Sequence, residues 1–317
     1  MRFFIINRTT LSLALFLILF SSVFSVNQST AANNGSNWFN SLQKAIETVS
    51  SGRAANDDEP SLEEVVALAI DSGAQMYVII QTAMAMDSNI AGQIIEATIT
   101  VTKDPDQTVK AAIIANINLE TIIKSSLQAG ASADKIVLAA IDAGADLDLL
   151  ISECIKAGAD PTETIMAAIS ATKNVGAVVE AAVKAGAPEK ILAKAVFSDS
   201  SAIDETQAVT SCINAGIDLN TIIKEALDAG ISQGLVIIVS LFTSNDYQQV
   251  VNSAITWGVS KNDILAFARE NLSIDQEALR QALETSEIIT AYTPSERRSP
   301  PRNSINTEPG RGSVSPN

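Results

Sequence analysis

The chain has 317 residues, 47% of them hydrophobic, 18% charged and 4% aromatic. That is enough for one large domain or two ordinary ones, and too apolar for disorder throughout. A net charge of −15 and a pI near 4.4 repel phosphate backbones and anionic headgroups, which argues against a nucleic-acid partner. Histidine is absent, which removes Ser-His-Asp and Cys-His catalysis together with the commonest transition-metal ligand.

In chain order, residues 1–25 read as a signal peptide. Arg2 and Arg8 form the positive end, residues 11–20 are apolar except Ser12, and Val23 and Ser25 stand at −3 and −1 of a cut after Ser25, before Val26. The apolar run is too short for an ordinary transmembrane helix, and no cysteine lies near the cut for lipid attachment. The mature chain is therefore expected in the periplasm or outside the cell, with no stable membrane insertion. Residues 26–60 read as a polar segment containing one helix over 38–49, with Trp38, Phe39, Leu42, Ile46 and Val49 on one face, and a linker over 50–60.

Residues 61–290 read as a repeat domain. Ser61 and Glu64 form a capping box at its start. Over residues 119–160 one phrase recurs three times, with Gly130, Gly144 and Gly158 each inside Ala-Gly-Ala, followed by Ser132, Asp146 and Asp160. Each 14-residue unit predicts a short amphipathic helix ended by glycine in a left-handed turn, with Ser or Asp capping the next helix. Leu219, Ile222, Ile223, Ala226 and Leu227 show the apolar face. A helix of roughly 16 Å is marginal alone and must bury its stripe on neighbours. Short turns imply antiparallel neighbours, so the expected fold is an all-α solenoid with 28 residues per helix pair.

Residues 119–132 and 219–232 agree at nine of fourteen positions. Two extra residues fall near Ser198 to Ala202, a longer turn, and the units before residue 119 are degenerate. Residues 96–102 alternate like a strand, but the flanking units favour helix. From about Ala291 prolines, serines and four arginines replace the apolar pattern, and residues 291–317 are expected to be a disordered tail.

The Ala-Gly-Ala-Asp phrase is similar to the end of an ankyrin repeat, over four residues per unit. The ankyrin Thr-Pro-Leu-His segment is missing and the period differs, so the resemblance implies only the helix-stop, helix-start grammar of helical repeats. No binding residue carries over from it.

Few residues suggest chemistry. Cys154 and Cys212 lie four helices apart, roughly 20 Å in a regular stack, whereas a disulfide needs Cα atoms within about 7 Å; two separate buried thiols are expected. Asp142, Asp146, Asp148 and Asp160 gather near helix starts, where capping is the reading preferred over calcium. Met76, Met84 and Met86 read as core filler rather than copper(I) ligands, and residues 56–59 as a solvated linker. The Arg-Pro-rich tail reads as passive, with a docking peptide as the alternative. No catalytic, cofactor-binding or metal-binding residue is assigned, and no cofactor is expected. The sequence points to an exported, non-enzymatic scaffold or adaptor that binds another protein. A self-associating structural component of the matrix or envelope is the alternative, and a carboxylate-dependent enzyme is less favoured.

Overall fold

The computed structural model describes residues 35–52, 59–198, 204–269, 271 and 273–286. The segments read as a signal peptide (1–25) and a tail (291–317), and residues 199–203, where a longer turn is expected, lie outside them. The described residues form seventeen α-helices and no strand. The first nine are α1 (Gly35–Ser50), α2 (Leu62–Asp71), α3 (Met76–Met86), α4 (Ala91–Thr102), α5 (Pro105–Ile114), α6 (Leu119–Gln128), α7 (Ala133–Asp142), α8 (Leu147–Lys156) and α9 (Pro161–Thr172). There follow α10 (Val175–Lys184), α11 (Glu189–Phe197), α12 (Glu205–Asn214), α13 (Leu219–Asp228), α14 (Gln233–Thr243), α15 (Tyr247–Thr256), α16 (Lys261–Arg269) and α17 (Gln276–Thr285).

Helix starts fall 14 residues apart from Ala91 to Glu189 and again from Glu205 to Lys261, with 16 between (205 − 189). From Leu62 the helices before residue 119 keep this rhythm apart from a 15-residue step between Met76 and Ala91 (91 − 76), although their sequences hide it. From α3 onward each helix packs more closely on a helix two places away in the chain than on its sequence neighbours, and α2 packs on α4 as well as on α1. Even-numbered helices α2 to α16 therefore form one layer, A, and odd-numbered helices α3 to α17 the other, B. This arrangement is consistent with an α-solenoid.

The packing follows from three positions in each helix. The fourth and fifth residues, such as Ile122 and Ile123, Leu150 and Ile151, or Ile222 and Ile223, are fully buried. Burying each contributes about 1.5–3 kcal/mol, which a ten-residue helix cannot gain alone. The eighth residue is small and buried nearly throughout. It is Ala112, Ala140, Ala168 and Ala226 in layer B, and Ser126, Cys154, Ala182, Cys212 and Ser240 in layer A. Small residues there let neighbouring helices approach closely.

The turns explain the period. After α6, Ala129 closes the helix and Gly130 takes φ +83°. The Gly130 N–H donates to Leu127 O at 2.9 Å and the Ala131 N–H to Ser126 O at 2.9 Å, a Schellman closure that satisfies the last carbonyls. Asn116 takes the glycine's place after α5, at φ 62°, which is why that unit looks degenerate in the sequence. A second turn appears twice. Helices α4 and α9 run twelve residues, and Lys103 (φ 56°) and Lys173 (φ 54°) replace the glycine. Thr102 Oγ1 then accepts from the Asp104 N–H at 3.1 Å, and Thr172 Oγ1 from the Asn174 N–H at 3.2 Å.

The alternating stretch 96–102 is helical. Its threonines turn back on the helix, Thr98 Oγ1 donating to Ile94 O at 2.6 Å and Thr102 Oγ1 to Thr98 O at 2.8 Å. The first helix is longer than expected, and Ala45 rather than Val49 completes its buried face with Trp38, Leu42 and Ile46. Helix α1 lies on α2 and turns Gln43, Lys44 and Glu47 to solvent. At the other end α17 exposes Glu277, Arg280, Gln281 and Glu284. The Lys261 ammonium of α16 donates to Leu283 O at 2.6 Å and Ser286 O at 3.0 Å, tying α17 down.

Candidate functional site

The residues singled out in the sequence fall into structural places. Asp146 and Asp160 cap helices, accepting from the Leu149 N–H and the Glu163 N–H, both at 2.9 Å. Asp142 reaches back to Lys110 of α5 at 2.6 Å, and Asp148 is bridged by Lys184 of α10 at 3.2 Å. These lysines tie neighbours within one layer, and adjacent carboxylates raise both ammonium pKa values, foremost Asp142 at Lys110 and Glu180 at Lys184. Among the described residues, no group of three or more His, Cys, Asp or Glu could hold a metal ion.

Cys154 and Cys212 are free and buried. Burial foremost pushes both thiols up to about 12, with Glu153 adding to the effect at Cys154. Met76, Met84 and Met86 pack half-buried against the core, Met76 Sδ accepting from Thr108 Oγ1 at 3.3 Å. Of the acidic linker run, Glu59 accepts from Thr48 Oγ1 at 3.1 Å, and residues 56–58 lie outside the described part. Among the described residues no helix is long and apolar enough to cross a membrane.

Two arrangements emerge only from the packing. The sixth residue of each layer-B helix is exposed or partly exposed, and most are polar: Gln81, Lys110, Lys194, Lys224, Asn252 and Gln281. In α7 and α9 the same position is Leu138 and Met166, 40% and 38% exposed. They line a cleft of about 320 Å³ floored by Ala167, Ile169, Val175 and Ala195. Asp134, Ser170, Lys173, Asp204 and Gln207 supply its polar edge. The charged groups on that edge belong to helix ends. Asp204 accepts from the Gln207 N–H at 3.1 Å, Asp134 takes the Ser132 hydroxyl, and Lys173 forms the turn after α9. Such a surface offers apolar contact framed by polar groups.

The second arrangement joins α13 and α15. Glu225 occupies a buried seventh position that in other layer-B helices holds Thr82, Ala111, Ala139, Ala167, Ala195, Ser253 or Ala282. The Lys224 ammonium lies 3.0 Å from Glu225 Oε1, 2.6 Å from Asp228 Oδ2 and 5.4 Å from the Trp257 ring centroid. Its pKa is raised, chiefly by Asp228. Trp257 Nε1 donates to Asn220 Oδ1 at 2.7 Å. The cluster satisfies a buried charge and clamps two helices.

A sequence reader could have found the Leu138 and Met166 pair by writing the units in register and reading the sixth column. Compared with known proteins, the chain matches no family model and no curated protein.

Proposed function

We propose that this chain is an exported, non-enzymatic α-solenoid, built on a 14-residue unit with 28 residues per helix pair, that serves as a protein-binding scaffold. Export rests on residues 1–25 of the sequence. The observation that carries the binding reading is the Leu138–Met166 cleft. It sets two adjacent large apolar side chains where sibling helices carry lysine or amides, and exposing them to water is unfavourable unless something covers them. The engagement of Asp134, Asp204 and Lys173 at helix ends supports recognition rather than acid–base chemistry there. The partner is another protein with an apolar anchor for the cleft. The polar outer faces of α1 and α17 favour a finite adaptor over open-ended stacking of copies.

Affinity capture from the native envelope or culture medium tests this with the natural chain and a Leu138→Lys/Met166→Glu variant of matched helicity. A partner captured by the first and lost by the second is the expected result. A partner held equally by both, or recovery of the protein alone as large assemblies, contradicts it.

A further inference from the structure

Layer A carries a different cleft, of about 490 Å³, between α4 and α6. Its floor is made by an absent side chain. A Cβ on Gly92 would stand 2.9 Å from Ser125 Oγ, so glycine at this helical position leaves the hydroxyl open to the cleft. Ser125 is only 4% exposed, and its hydroxyl has no hydrogen bond among the described residues. Glu96, half-buried on the wall, likewise has neither hydrogen bond nor ion pair there. Burial foremost, and then the Glu63 carboxylate, push its carboxyl above the usual range. Gln93 and Gln128 on the rim hold uncommitted amides. The lining cation, Lys124, is engaged by Glu120 at 2.7 Å.

The lining therefore has a net negative charge, acceptors not taken up within the chain, and no aromatic or aliphatic residue. A ligand that fits must be cationic and rich in N–H donors. We propose that the cleft between α4 and α6 binds a guanidinium group, the side chain of an arginine. A guanidinium carries five N–H donors in a flat fork and is more weakly hydrated than an ammonium. It can take both Glu96 carboxylate oxygens at once while its remaining donors meet Ser125 Oγ and a glutamine amide oxygen. The hydroxyl on the cleft floor and the half-buried carboxylate then share one ligand. The arginine has two available sources. One is this chain's own tail, where Arg297, Arg298, Arg302 and Arg311 contrast with the acidic body; the other is a different protein. The site lies on helices other than those of the Leu138 cleft and does not depend on binding there.

Calorimetric titration of the full chain with Nα-acetyl-arginine amide, and with the neutral isostere Nα-acetyl-citrulline amide, tests the assignment. The arginine probe should bind saturably and about tenfold or more tighter than the citrulline probe. Glu96→Gln, which removes charge and keeps shape, should weaken it about tenfold; Gly92→Leu, which fills the floor, should abolish it. A full chain carrying R297Q, R298Q, R302Q and R311Q separates the sources. Tighter probe binding than in the natural chain identifies the tail as an occupant, and unchanged binding assigns the arginine to another protein; either supports the site. Equal affinity for the two probes, undiminished binding in Glu96→Gln, or no saturable arginine binding in both the natural chain and the tail variant overturns it.

Discussion

Ser240 is the eighth residue of α14, fully buried, and its Oγ has no hydrogen-bond partner among the described residues. Ser126 holds the same position and the same unpaired state in α6. A buried hydroxyl without a partner costs about 1–3 kcal/mol in lost hydration. Ser240→Ala removes that cost and leaves a void no larger than a water, ~10–15 Å³, worth ~0.3 kcal/mol at about 24 cal/mol per Å³. Alanine already fits this position at Ala69, Ala182 and Ala268. The net expectation is a gain of about 1–2 kcal/mol. In urea denaturation followed by helical ellipticity, the midpoint should rise by ~0.5 M. Helices α6 and α14 do not touch, so adding Ser126→Ala should give a second, additive increment. An unchanged or lowered midpoint in both single variants would refute the reasoning. The hydroxyls would then have a partner, a buried water among the candidates, and the eighth position would be a polar site rather than a packing constraint.

Three further expectations follow from local geometry. Gly144→Ala should lower stability by about 1–2 kcal/mol through backbone strain alone, because φ is +82° and the added Cβ meets nothing within 4 Å; Asn116→Gly should raise it, and the opposite order in thermal melts would contradict the turn assignment. Cys154 and Cys212, with thiols raised to about 12, should resist a disulfide reagent at mildly alkaline pH and both react after unfolding, whereas rapid labelling of either in the native state would place it at the surface. Burial and Glu63 penalise the charged form of Glu96, so the folded state holds its proton to higher pH than the unfolded chain. The destabilisation is present above the folded pKa and absent below the ordinary 4.5. Glu96→Gln should therefore stabilise at neutral pH and lose that advantage in acid; a benefit independent of pH would count against it.

Much of the fold is legible because its punctuation is local. A glycine at φ +83° and an Asp accepting the third amide of the next helix are decided within a few residues, and both are written in the repeated phrase, although Ser132 departs from it by turning its hydroxyl to Asp134 instead of capping α7. The same locality hid the early units, since Asn116 and Lys103 reach the left-handed conformation without glycine. Most helices are ten residues long, slightly shorter than the roughly 16 Å expected, because the closing alanine and its glycine belong to a four-residue connection such as 129–132. Layer identity was not legible, because residues 119–132 and 219–232 are nearly the same sequence yet build α6 of layer A and α13 of layer B. The clefts depend on contacts two helices away. Leu138 becomes informative only beside Met166, and Ser125 only once Gly92 is seen above it. Glu225 and Trp257 were missed because a charge at a buried seventh position means nothing until the layers are assigned.

Deleting residues 133–160 tests the central claim directly. The cut removes one 28-residue helix pair, joins Ser132 as cap to Pro161 as first helical residue, and keeps every later helix in its own layer. It also removes Leu138 and with it the proposed binding cleft. The helical ellipticity per residue of this shortened chain should equal that of the natural one, with a cooperative melt retained and the captured partner lost. A collapse of helicity would show that the helices are not interchangeable units of one stack, and the account built on them would fail.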